Sequence, residues 1–81
     1  MMEPQEIARL LEQGLTDARV HVDGDGHHFQ ALIVTPAFEG LSLIQRHRMV
    51  NEVLEAHLDS GVLHAISMRT LTPEQYDAER T

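Results

Sequence analysis

Apolar residues recur along this chain at two different periods, and the switches between them mark out its elements. Ile7, Leu10, Leu11 and Leu15 fall at helical spacing, while Glu6, Arg9, Glu12 and Gln13 turn the other way. A first helix is therefore expected from Pro4, where proline suits the first helical position, to about Gly14. The period then drops to two, with Ala18, Val20 and Val22 alternating with Arg19, His21 and Asp23 in a first strand. Asp23-Gly24-Asp25-Gly26 is a turn with a mechanism, because glycine tolerates positive φ and aspartate bonds its own backbone. From Phe29 to Thr35 the chain is apolar on both faces, which marks a central strand, and Pro36 ends it by having no N–H to donate.

In the second half, Phe38-Glu39-Gly40-Leu41 forms a short connection or helical turn. Ser42-Leu43-Ile44-Gln45 reads as a capping box that opens a long helix running to about Leu58, with Gly61 as its stop. A third strand is expected from Leu63 to Leu71, placing His64 on the side shared by Ile66 and Met68. Thr72-Pro73-Glu74-Gln75 is a second capping box, starting a last short helix through Tyr76. The order is α-β-β-α-(α)-β-α, the bracketed element being an extra helical turn. A hairpin followed by a helical crossover gives an α+β fold, an α/β sandwich in which a mixed three-stranded sheet carries its helices on one face and the connection from the central to the third strand is right-handed.

The chain has 81 residues, enough for one domain over residues 1–81 and little more. It has no cysteine, which excludes disulfides and any self-sufficient zinc or iron–sulfur site built on thiolates. No long apolar run is present, so a cytoplasmic protein with no membrane segment is expected. Thirteen acidic residues against six arginines, with no lysine, give a net charge of −7. That field repels polyanions, since phosphate neutralisation supplies most of nucleic-acid affinity. Catalysis is disfavoured too. Ser42 is accounted for as a cap, and neither a nucleophile elbow, nor a phosphate loop, nor a pair of carboxylates in an apolar setting is visible.

Two groups could still carry a function. In Arg46-His47-Arg48 on the long helix, the two arginines point about 160° apart at about 100° per residue. His47 falls on the stripe of Leu43, Val50, Leu54 and Leu58, as a core-edge histidine, and Arg48 faces outward with Glu52 placed for an i,i+4 ion pair. The other group is drawn from six histidines. His21 and His57 fall on outer positions. His27 and His28 sit where the hairpin meets the central strand, and if the second and third strands are parallel neighbours, His28 and His64 share one edge of the sheet. Two neutral imidazoles there could contribute to one metal site.

These residues are also similar to the BolA family. His21-Val22-Asp23-Gly24-Asp25-Gly26-His27-His28-Phe29-Gln30 resembles the hairpin of its small acid-stress branch, the IbaG-like proteins. Phe38-Glu39-Gly40 followed by Gln45-Arg46-His47-Arg48-Met49-Val50-Asn51 resembles the family's central F-x-G…RHR-x-V pattern. Leu63-His64-Ala65 and Leu71-Thr72-Pro73-Glu74-Gln75-Tyr76 resemble its last strand and ending, with Tyr where Trp is common.

The resemblance implies a fold like the type II KH domain without its Gly-x-x-Gly clamp. It implies a non-enzymatic accessory of iron–sulfur metabolism whose partner is a monothiol glutaredoxin. A 2Fe–2S cluster would be shared across that heterocomplex, with the partner's cysteine and glutathione on one side and none held by this chain alone. By the same resemblance His64 supplies one ligand and His28, or else His27, the second. Imidazole ligands would raise the cluster's potential as in Rieske centres, and acid would weaken the ligation. Exposed parts of the long helix and third strand are the expected docking face, and a cluster-free homodimer is compatible with the chain. The family's other association is DNA-binding stress regulation through the helix of Arg46, His47 and Arg48, which the absence of lysine and the presence of Glu52 and Glu55 disfavour.

Overall fold

The structure is a computed structural model and describes residues 2–80. Helix α1 (Pro4–Gly14) leads into the hairpin of β1 (Arg19–Gly24) and β2 (Phe29–Val34). A 3-10 turn (Pro36–Phe38), helix α2 (Leu43–Glu55) and a five-residue helix α3 (Ser60–His64) carry the chain to β3 (Ile66–Leu71), and α4 (Pro73–Arg80) closes it. The sheet order is β1-β2-β3, antiparallel between β1 and β2 and parallel between β2 and β3. The α+β architecture with a central second strand is the expected one. No helix among the described residues is long and apolar enough to cross a membrane.

Alternation decides the core. Phe29, Ala31 and Ile33 of β2 and Val22 of β1 face α1 and α2, where they join Ile7, Leu11, Leu15, Phe38, Val50, Leu54 and Leu58. Fully burying each of the larger side chains stabilises the fold by roughly 1.5–3 kcal/mol. The opposite face carries Arg19, His21, Asp23, Gln30, Ser67 and Arg69, all exposed. At its far end α4 sets Tyr76 beside Val34 and Leu32, with Arg19 over the Tyr76 ring at 5.5 Å and Arg69 paired to Glu79 at 2.6 Å.

Both capping boxes form. Ser42 Oγ accepts from Gln45 N and Gln45 Oε1 accepts from Ser42 N, and Thr72 and Gln75 repeat the arrangement. Two expectations fail between them. The long helix ends at Glu55 rather than near Leu58, and Gly61 lies inside α3 rather than stopping α2. The cause is Asp59, whose carboxylate accepts from Val62 N at 3.0 Å and caps a new helix. His64 is therefore the last residue of α3, and the strand begins three residues later than its alternation suggests.

The buried stripe along α2 and just past it keeps the expected Val50, Leu54 and Leu58 but runs through Arg46 instead of Leu43 and His47 in its first turns. Arg46, Val50 and Leu54 are buried, while Leu43 is 64% exposed and His47 only half-buried. Arg46 is 7% exposed and can occupy a core position because its guanidinium is satisfied there. Nε donates to Leu41 O, Nη1 donates to Thr70 O and Gln75 Oε1, and the group lies 5.7 Å from the Phe38 ring centre. Arg48 is exposed and forms no ion pair with Glu52 among the described residues. Arg46→Ala is expected to destabilise the fold by about 2–4 kcal/mol, because it strands buried acceptors, whereas Arg48→Ala changes it by less than about 0.5 kcal/mol. Urea unfolding of the two variants checks this, and equal midpoints would refute the structural role of Arg46.

Candidate metal-ligand site

The parallel pairing of β2 with β3 starts at Phe29 opposite Ile66. One hydrogen bond precedes it, from Phe29 N to Ala65 O at 2.9 Å. His28 comes immediately before Phe29 and His64 immediately before Ala65, so the two histidines flank that bond at one end of the sheet. They reach it from different elements, His28 from the hairpin loop and His64 from the last turn of α3. His27, His28 and His64 are all exposed.

The loop between β1 and β2 is ordered by a single carboxylate. Asp25 Oδ1 accepts from His27 N and from His28 N, each at 2.8 Å, and Asp25 N donates to His28 O at 3.2 Å. Gly26 supplies the reversal at φ 91°, a conformation side chains resist. The amides of His28 and then His27 hold the Asp25 carboxyl below the ordinary aspartate range. Gly24 is needed for space instead. A Cβ there would stand 2.6 Å from His28 O and 2.6 Å from Phe29 Cδ1.

The donor chemistry suits a share of a metal site. Among the described residues no group of three or more His, Asp or Glu could hold a metal ion alone, and the chain has no cysteine. Two exposed imidazoles at one edge match a site completed from outside. The remaining histidines lie elsewhere. His21 pairs with Asp23 at 3.1 Å on the open sheet face, His57 is exposed past the end of α2, and His47 is half-buried on α2.

The basic triplet is divided between the core and the surface. Arg46 is spent inside the fold, which leaves Arg48 as the exposed guanidinium of the three residues. Beside it Leu43 and Ile44 stand 64% and 67% exposed at the start of α2. They lie toward the Thr70 end of β3, where Arg46 is anchored, and so away from His64. The local signal for this shift is Asp59, a cap residue followed by Ser60, which moves His64 from strand to helix.

Two tests address this geometry. Gly24→Ala is expected to cost about 1–3 kcal/mol by urea unfolding, because the added methyl meets the His28 carbonyl and the buried Phe29 ring, neither of which can easily give way. An unchanged midpoint would show that the close approach is absent. A depressed folded pKa gives stability that is complete above the unfolded value and fades as pH falls through the folded one. The Asp25 contacts should therefore persist through neutral and mildly acidic pH. In an NMR titration the His27 and His28 amide signals should move together, with a midpoint below the ordinary aspartate range. A midpoint within that range would mean that the two bonds do not form.

Comparison with known proteins agrees with this architecture. The family model described as BolA-like protein matches residues 7–75. The acid stress protein IbaG of Escherichia coli strain K12 is 34% identical over 79 residues, spanning 98% of this chain and 94% of that one. The solved structure of a bolA protein homologue from Coxiella burnetii superposes with a TM-score of 0.84 at 41% identity, covering 95% of this chain and 99% of the other. The BolA domain of SufE1 from Arabidopsis thaliana gives 0.73 at 33% identity, covering 88% and 92%.

Proposed function

The chain belongs to the BolA-like family, and from that premise we propose that it is an accessory protein of iron–sulfur metabolism that lends two imidazoles to a 2Fe–2S cluster shared with a monothiol glutaredoxin. The observation that carries the reading is the Phe29–Ala65 hydrogen bond, which sets the residues before it, His28 and His64, at one edge of the sheet. Its division of labour follows from composition. A chain without cysteine offers neutral nitrogen donors, and the partner's cysteine and glutathione offer the thiolates. The cluster, when bound, supplies the iron chemistry. This chain's residues supply two donors, the backbone that fixes them, and the edge against which a partner closes.

That a BolA domain occurs within SufE1 supports the view that the unit works beside other proteins rather than as an enzyme in its own right. Likeness to an acid stress protein supports a role in the stress response. The DNA-binding alternative keeps only Arg48 and the half-buried His47 of its three residues, in a chain of net charge −7.

The test is a titration of the apo protein into a cluster-loaded monothiol glutaredoxin, followed by visible absorption and circular dichroism. The wild type is expected to give a new spectrum that His64→Ala lacks, while Arg48→Ala behaves as wild type. No spectral change, together with no complex by gel filtration, would overturn the reading.

A further inference from the structure

The hairpin loop converges on one side chain more completely than a reversal of direction needs. Asp25 holds the His28 backbone on both sides of its Cα, with the carboxylate taking the N–H at 2.8 Å and the Asp25 amide donating to the C=O at 3.2 Å. The next N–H along, that of Phe29, is tied to Ala65 beside His64. Among the described residues His27 has only its N–H tied, and it follows the Gly26 bend. The space left for the His28 carbonyl against Gly24 is a second sign of a seated backbone, since no Cβ would fit there. His28 also lines a shallow hollow with Asp23, Gly24, Asp25 and Gln30, and His27 does not.

We propose that Asp25 is a positioning residue for the shared site: its carboxylate fixes the backbone of His28 against the start of β3, so that His28, and not His27, is the hairpin imidazole presented alongside His64. The inference rests on the cluster reading above and deepens it. Asp25 Oδ1 is occupied by two backbone amides, so through that oxygen the residue acts on the histidine backbone. Groups that orient a ligand in this way typically change metal affinity 10–100-fold when removed, because the ligand must then be ordered at the moment of binding. The arrangement also explains why an aspartate stands between two glycines here. Gly24 leaves room for the seated carbonyl, Gly26 makes the bend, and Asp25 ties the two histidines' amides between them.

The experiment uses the whole chain with Asp25→Ala, Asp25→Asn, His27→Ala and His28→Ala. Hydrogen exchange of the His27 and His28 amides is read by NMR in the apo protein. The apparent affinity for cluster-loaded monothiol glutaredoxin is read by circular dichroism below each variant's melting temperature. Asp25→Ala is expected to speed exchange at both amides and to weaken the complex about 10-fold or more. Asp25→Asn keeps an oxygen that accepts from both amides and should restore most of each effect, a rescue that separates positioning from charge. His28→Ala should abolish the new spectrum and His27→Ala should leave it. The proposal is overturned if Asp25→Ala titrates like wild type, if Asp25→Asn is as weak as Asp25→Ala, or if His27 rather than His28 proves essential. Absence of a shared spectrum in the wild-type arm is a separate result, which removes the cluster reading and this assignment with it.

Discussion

Two parallel strands cannot be joined by a tight turn, so the pairing of β2 with β3 obliges the chain to travel back along the sheet before the third strand begins. That obligation accounts for most of the second half of the molecule. The 3-10 turn lifts the chain off the end of β2, α2 returns it across the face of the sheet, and α3 lowers it onto the starting edge. The hairpin ends at that same edge, because β1 and β2 are antiparallel and the loop joins Gly24 to Phe29. Two segments more than thirty positions apart thus meet at one place, each bringing a histidine. The register of one parallel pair is therefore what makes His28 and His64 neighbours in the fold.

Arg46 shows the same topology from the other end. A guanidinium in a small core is costly unless its donors find acceptors, and here three segments of the chain supply them to Nε and Nη1. The Leu41 carbonyl precedes α2, the Thr70 carbonyl lies near the end of β3, and the Gln75 side chain belongs to α4. Gln75 also closes the cap of its own helix through Thr72, so one amide oxygen joins a helix start to the core arginine. A cationic residue that looks like a phosphate contact is in fact a bolt between α2, β3 and α4. This is why basic character on α2 does not translate into a basic surface.

What was legible in the sequence follows the strength of the local signal. Both capping boxes, the prolines at helix starts and the alternating strand of Val20 and Val22 act over a few residues, and they were readable for that reason. The central strand was readable because it is apolar on both faces. The family resemblance and the fold it implied agree with the architecture observed. The misread features are those in which a tertiary contact competes with an equally plausible local pattern. His47 and Arg46 sit on adjacent faces of one helix, and a hydrophobicity stripe favours histidine over arginine. Only the distant carbonyl of Thr70 and amide of Gln75 reverse that order. Likewise Leu63-His64-Ala65 alternates as a strand would, and the Asp59 cap turns it into the end of a helix.

Moving His64 from strand to helix end changes the physical argument for a ligand without weakening it. A side chain standing on the inner face of a strand would have to compete with the apolar packing of Ile66 and Met68. One in the last turn of a short exposed helix is free of that packing and open to a partner. The hairpin makes the complementary provision, an exposed imidazole whose backbone is tied down by Asp25. Both donors are thus accessible, and neither belongs to a self-sufficient group of ligands. In such a half-site, metal binding and partner binding are linked by mass action. Whatever favours one favours the other. On the proposed reading the chain acts within a complex, and the specificity of that complex lies in the edge that the parallel strands create.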